Sequence, residues 1–253
     1  MPRIIFKRFS VTGASVGVML MFNGYALGCS DLPSVCEQKA QQHPNKVAKS
    51  APSNGGGGRE GSGSAAFDPM PGLLSQAASV STAVAQQPSE EIEKRKKSDP
   101  KFKAAYERYT NGGWEYFQDL AGAAPGEYCA AFYAKGGGMV RLSGPGKEYE
   151  GALMTFWGAD IPTPATMQKV KVTLKQSNDA PQTVQAFNYK LPGEAFGAIA
   201  FAVPTIEAAL AGMEDEASFD LEMDGKSVAS VEWKDGLAAR DRLRKCVSAR
   251  KKK

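Results

Sequence analysis

At 253 residues the chain has room for one large or two small domains, but Gly, Ser, Ala, Gln and Pro crowd the stretch before position 100 and leave material for one core. The single histidine, His43, falls in that stretch, which argues against a Ser/His/Asp or Cys/His nucleophile scheme in the folded part. The 31 basic and 27 acidic residues are unevenly spread: outside the first eight positions and the segment Arg240 to Lys253, 20 basic face 26 acidic residues, an acidic body with a basic end.

In chain order, Arg3, Lys7 and Arg8 precede an uncharged run from Phe9 to Phe22 and then the small residues Asn23 to Gly28. That three-part order is the pattern of a secretory signal segment, 1–28. The run is shorter than the ~20 apolar residues of a spanning helix and is diluted by Gly, Ser and Thr, so cleavage is expected over retention as an anchor. Cleavage fits after Ala26 or after Gly28. The second cut leaves Cys29 first, as in a lipoprotein, and a membrane is expected as partner only if Cys29 is lipidated or the signal is uncleaved. The expected location is therefore periplasmic or secreted.

Residues 29–97 read as a low-complexity flexible tether, with Gly55-Gly56-Gly57-Gly58 and Gly61-Ser62-Gly63-Ser64 of linker composition. Leu73 to Val84 suggests at most a transient helix without the bulk for a core. Gly58 to Gly63 has no strand before it and no helix after it, so it fails as a phosphate loop. A short amphipathic helix is expected over 98–112, with Ser98 as cap, Pro100 in the first turn and Phe102, Tyr106 and Tyr109 on one face.

The period then becomes strand-like over 113–247. Trp114 to Phe117, Glu127 to Tyr133, Met139 to Ser143 and Glu148 to Trp157 are separated by Pro125-Gly126, Gly136-Gly137-Gly138 and Gly144-Pro145-Gly146. Val170, Val172 and Leu174 alternate with polar residues, and Gln182 to Tyr189 and Ala195 to Val203 continue the series. Asp224-Gly225 joins Phe219–Met223 to Lys226–Trp233 in a two-residue hairpin, with fraying or a bulge expected where Met223 meets Lys226. Helices are expected from Ile206 to Met213, capped by Thr205, and from Gly236 to Val247, capped by Asp235. The whole reads as mainly β with minor α: an antiparallel β-sandwich or partly open barrel with two or three short helices behind a disordered N-terminal tether. A basic tail, 248–253, closes the chain.

Four cysteines in an exported chain point to disulfides. Three connectivities are open, and placement favours Cys129 with Cys246, which bracket the β-rich domain, and Cys29 with Cys36 as a local clip. Cys246 falls on the apolar stripe of the last helix, within reach of an early strand. Zinc is not expected, since there is no C-x-x-C and one histidine; neither metal nor cofactor is predicted.

Candidate chemistry is sparse. Glu214-Asp215-Glu216 reads as a solvated turn, Glu148 and Glu150 as the wet side of a strand, and Lys135 to Gly138 as a hairpin loop. Phe156 and Trp157 cannot share a sheet face, so the aromatics from Trp114 to Trp157 are buried on two sides or partly turned outward toward sugars or a protein. Arg250, Lys251, Lys252 and Lys253 are the candidate anion- or surface-binding residues, against the alternative of a frayed, solvated end.

The exported start, Trp114 followed by Cys129 in the first strands, and a closing helix ending Leu243-Arg244-Lys245-Cys246 resemble small periplasmic β-sandwich proteins of the invasion-associated locus B type. The resemblance covers about 113–247 and implies an envelope or secreted accessory protein without a defined catalytic site. The expected function is a non-catalytic binding module for a protein or cell-envelope component, with no specific nucleic acid. The alternatives are a carboxylate-based glycan hydrolase and a tail-mediated binder of anionic surfaces.

Overall fold

Glycine and aspartate at positions of positive φ set the two tightest hairpins. Gly136 and Gly137 have φ of 56° and 86°, and Asp224 and Gly225 have φ of 51° and 77°, the left-handed pair that a two-residue turn between twisted strands requires. The structure, a computed structural model, describes residues 69–250 apart from 121 and 148. The expectations for 1–28, Cys29, Cys36, His43, Glu148, Lys251, Lys252 and Lys253 fall outside the described residues.

The first turn joins β2 (Cys129–Lys135) to β3 (Gly138–Ser143), and the second joins β8 (Ala217–Met223) to β9 (Lys226–Trp233). Met223 pairs with Lys226, and the expected irregularity sits just beyond: Glu222 faces Ser227 while Leu221 faces Ala229, leaving Val228 as the bulged residue. With β1 (Gly113–Gln118), β4 (Ala152–Gly158), β5 (Gln168–Gln176), β6 (Gln182–Lys190) and β7 (Gly197–Val203), these strands form one antiparallel sheet in the order β1-β2-β3-β4-β7-β6-β5-β8-β9. The protein is thus mainly antiparallel β with a minor helical part.

The register sorts the side chains onto two faces. Phe156, Ile199, Val172, Leu221, Phe219, Val231 and Trp233 share the concave face and are buried. The sheet curls around them, and β9 packs across β2, β3 and β4. Its two edges meet through Trp114 and Trp233, whose rings lie 5.5 Å apart, but among the described residues no backbone pairing joins β1 to β9. Of the two architectures expected, the continuous curled sheet with an open seam is the one formed.

Five helices lie among the described residues, more than the two or three expected: α1 (Pro69–Gln86), α2 (Ser89–Ser98), α3 (Pro100–Asn111), α4 (Ile206–Ala211) and α5 (Gly236–Ser248). One end of the concave face is closed by Ile206, Leu210 and Met213 from α4 and its exit, and by Ala239 and Leu243 from α5, against Ala131, Leu142 and Val203. Thr205 caps α4 as expected, its hydroxyl accepting the Ala208 N–H at 3.0 Å.

The tether expected over 29–97 is overturned for its last part. Met70 and Leu74 of α1 are fully buried on the convex face against Phe132, Met139 and Trp157, and Val80 and Ala83 pack with Ile92 of α2 and Phe102 and Ala105 of α3. The small residues between those anchors let the helix lie close to the sheet, so a segment poor in bulk still buries a stripe. The folded part therefore includes α1 to α3 and does not start at 113. Within the expected 98–112 helix the cap is Asp99, not Ser98, which ends α2; the Asp99 carboxylate accepts the Lys101 and Phe102 N–H groups at 3.0 Å.

Asp235 also departs from expectation. It holds φ of 58° and makes no side-chain cap for α5; the Asp215 carboxylate accepts the Leu237 N–H at 3.3 Å, and the Asp215 carbonyl accepts the Gly236 N–H at 2.8 Å. The Glu214–Glu216 turn thereby acts as the seat of α5.

Candidate functional site

Backbone polarity along an edge strand follows from its register. Asp119 N–H donates to the Tyr128 carbonyl and Gly144 N–H to the Cys129 carbonyl, so in β2 the even residues bond toward β1 and the odd ones toward β3. In β1 the odd residues are consequently turned to β2. The N–H and C=O groups of Trp114, Tyr116 and Gln118 point away from the sheet.

Beside that edge lies an open groove of about 570 Å³ between β1, the loop after it and α5, lined by Tyr116, Phe117, Gln118, Pro125, Arg242 and Lys245 among others. Three ties hold its walls. The disulfide Cys129–Cys246, formed as expected with Cα atoms 6.0 Å apart, fastens α5 to β2. The Gln118 side-chain amide donates to the Ala124 and Glu127 carbonyls at 3.1 and 2.9 Å, pinning the loop to the strand. Arg250 donates to both Glu150 oxygens at 2.5 and 3.0 Å and to the Gly146 carbonyl at 3.2 Å.

The last tie corrects two expectations. Arg250 is not part of a loose cationic tail but is spent on an internal carboxylate, which also holds its proton more tightly than usual. Its backbone passes so close to Gly126 (φ 81°) that a Cβ there would stand 2.1 Å from the Arg250 nitrogen. Glu150, read as the wet side of a strand, precedes β4 and is the partner of that arginine. Lys135, Gly136 and Gly137 form the expected hairpin, and the Gly136 N–H donates to the Tyr109 carbonyl at 2.7 Å.

The groove is cationic. Arg240 and Arg244 both pair with Asp241 on the outer side of α5, whereas no ion pair among the described residues engages Arg242 or Lys245. The Arg242 guanidinium stacks over the Tyr116 ring with its carbon 4.2 Å from the centroid. Burial pushes the Tyr116 phenol above its ordinary value, and the facing Arg242 charge opposes that rise. Among the described residues no Asp or Glu lines the groove, so the paired carboxylates of a glycan hydrolase are not found among those that do.

Elsewhere the aromatics are packed on two sides. Phe156 meets Phe201 and Phe219 on the concave face, and Trp157 meets Phe132 on the convex one. Asp119 and Arg141 form a buried ion pair at 2.8 Å, with Arg141 over the Trp157 ring. Among the described residues no group of three or more His, Cys, Asp or Glu is placed to hold a metal, and no helix is long and apolar enough to cross a membrane.

Cys246 stands on the apolar stripe of the last helix as expected, whereas Arg242 and Lys245 were legible in the sequence only as part of the basic end from Arg240 to Lys253. Their spacing of three puts them on one face, which is the available signal; which strand runs beside them is a matter of topology.

No protein-family model, curated protein or solved structure matches the chain. The molecule is a curled antiparallel sheet, cross-linked to its last helix, with a basic cleft along one edge strand.

Proposed function

We propose that the protein is an exported, non-catalytic module that binds an anionic protein or cell-envelope component in the groove beside β1. The observation that carries this reading is the pairing of two cations, Arg242 and Lys245, which no ion pair among the described residues engages, with an aromatic floor at Tyr116 and no carboxylate among the described lining residues. Export is supported by the signal-like start and by a disulfide of the kind an oxidising compartment maintains. An accessory role in the envelope agrees with what the invasion-associated locus B resemblance implies.

Three anionic probes test it: a fluorescent acidic peptide, a polyanionic polysaccharide, and vesicles of anionic phospholipid. At least one should bind the wild-type protein, and Arg242→Gln with Lys245→Gln should weaken that binding by about tenfold or more, with strong salt dependence. Removing residues 251–253 separately reads out the tail. Failure of every probe, or unchanged binding by the double variant, would sink the proposal.

A further inference from the structure

Resting on that reading, we infer that the groove receives an extended acidic segment of another protein, which adds to β1 as a further strand. Beside the groove, the Tyr116 and Gln118 backbone groups face outward two residues apart, a repeat of about 6.6–6.8 Å that matches the alternate residues of an incoming strand. The groove wraps the edge rather than lying on one face. Tyr116 and Gln118 line it from the concave side and Phe117 and Ala130 from the convex side. An added strand therefore meets two different surfaces. Residues turned toward α5 meet Arg242 and Lys245, and those turned the other way meet Phe117. The fitting sequence alternates carboxylate and apolar side chains.

Charge selects this occupant over a second copy of the chain. Antiparallel pairing of two β1 edges about a two-fold axis would bring two Arg242–Lys245 sets to one junction without a carboxylate among the described lining residues of either groove. A polysaccharide or lipid headgroup would use the cations and leave the outward amides and carbonyls of β1 unused. The β-strand is the ligand class that uses both.

The probe is a labelled Glu-Val-Glu-Val-Glu-Val peptide, compared with versions whose backbone nitrogens are methylated at the Glu positions or at the Val positions, all against the full chain. In a strand only one of the two phases donates toward β1. Methylation in one phase should weaken binding by about tenfold or more, while the other phase leaves it nearly unchanged. Addition of the parent peptide should also slow hydrogen exchange of the Tyr116 and Gln118 amides. Equal binding of both methylated forms, or equal binding of a Lys-Val peptide, overturns strand addition. If this peptide fails while vesicles or polysaccharide still bind through Arg242 and Lys245, strand addition falls and the anionic groove stands. If no anionic probe binds, both fall. A dimer that the peptide fails to dissociate, with the β1 amides protected at the start, assigns the edge to a second copy and overturns the inference.

Discussion

Strands β1 and β9 each have a single paired neighbour, yet they treat their outer backbones differently. The carbonyls of Val228 and Ser230 in β9 are turned in against the starts of β3 and the end of β4, where Gly158 and Gly138 leave room for them. A Cβ on Gly138 would lie 2.1 Å from the Ser230 oxygen, and one on Gly158 3.2 Å from the Val228 oxygen. The Trp114 end of β1 lies at the seam beside Trp233 and Lys234, whereas Tyr116 and Gln118 front a groove whose far wall is a helix carrying positive charge. An exposed sheet edge is an aggregation hazard that proteins usually blunt, and nearby cations discourage pairing with a like-charged copy. The comparison shows that one edge is closed with glycines and the other kept open but charged.

Cutting the tie that positions the far wall should have the largest effect. The Cys129–Cys246 bond closes a loop with a sequence separation of 117, for which loop entropy gives about 4–5 kcal/mol. Cys129→Ala with Cys246→Ala should lower unfolding stability by up to that amount in urea titration; a change below about 1 kcal/mol would show that α5 is held by packing alone.

A smaller loss is expected from closing the space at the hidden edge. Gly138→Ala sets a methyl against the Ser230 carbonyl and should cost about 1–3 kcal/mol in the same titration. Gly193→Ala makes a contrasting control, because its Cβ meets nothing within 4 Å and its φ of 82° is the source of its cost. A neutral Gly138→Ala would mean that β9 does not lie tightly on β3.

The smallest effect reads the open edge directly. Because burial raises the Tyr116 phenol above its ordinary value, its contribution to stability is complete below the unfolded-chain phenol pKa and is lost as pH rises through the folded one. Arg242→Gln keeps a planar group over the ring but removes the opposing charge, so ultraviolet titration should show the Tyr116 phenol moving further up. A downward move would place Arg242 away from the ring.

Much of this was readable from side-chain order. Alternation in Val170, Val172 and Leu174, the Asp224-Gly225 turn, Pro100 in the first turn of α3 and the apolar stripe that carries Cys246 are local patterns, and each has the same meaning in the folded chain. Helix α1 was not readable in that way, because Met70, Leu74, Val80 and Ala83 stand among small residues that look like linker; what makes Met70 and Leu74 core is a sheet face supplied from far downstream at Phe132, Met139 and Trp157, and what buries Val80 and Ala83 is the pair of helices that follows, through Ile92, Phe102 and Ala105. The cap of α5 fails for a related reason. Asp235 has the right chemistry at the right place, but its backbone is left-handed with φ of 58°, and the turn before β8 brings Asp215 to the helix end instead. The groove is legible only when the strand order is known, since nothing in Trp114 to Gln118 distinguishes an edge strand from a central one.

The ring contact between Trp114 and Trp233 has an optical consequence. The chain has three tryptophans, and these two stand 5.5 Å apart across the seam while Trp157 sits on the opposite side of the sheet. Two indoles so close couple their electronic transitions, producing a paired positive and negative band in circular dichroism that depends on their separation and tilt. Parting of the seam would erase that signal while the strands themselves stayed intact, so the molecule carries its own spectroscopic readout of barrel opening.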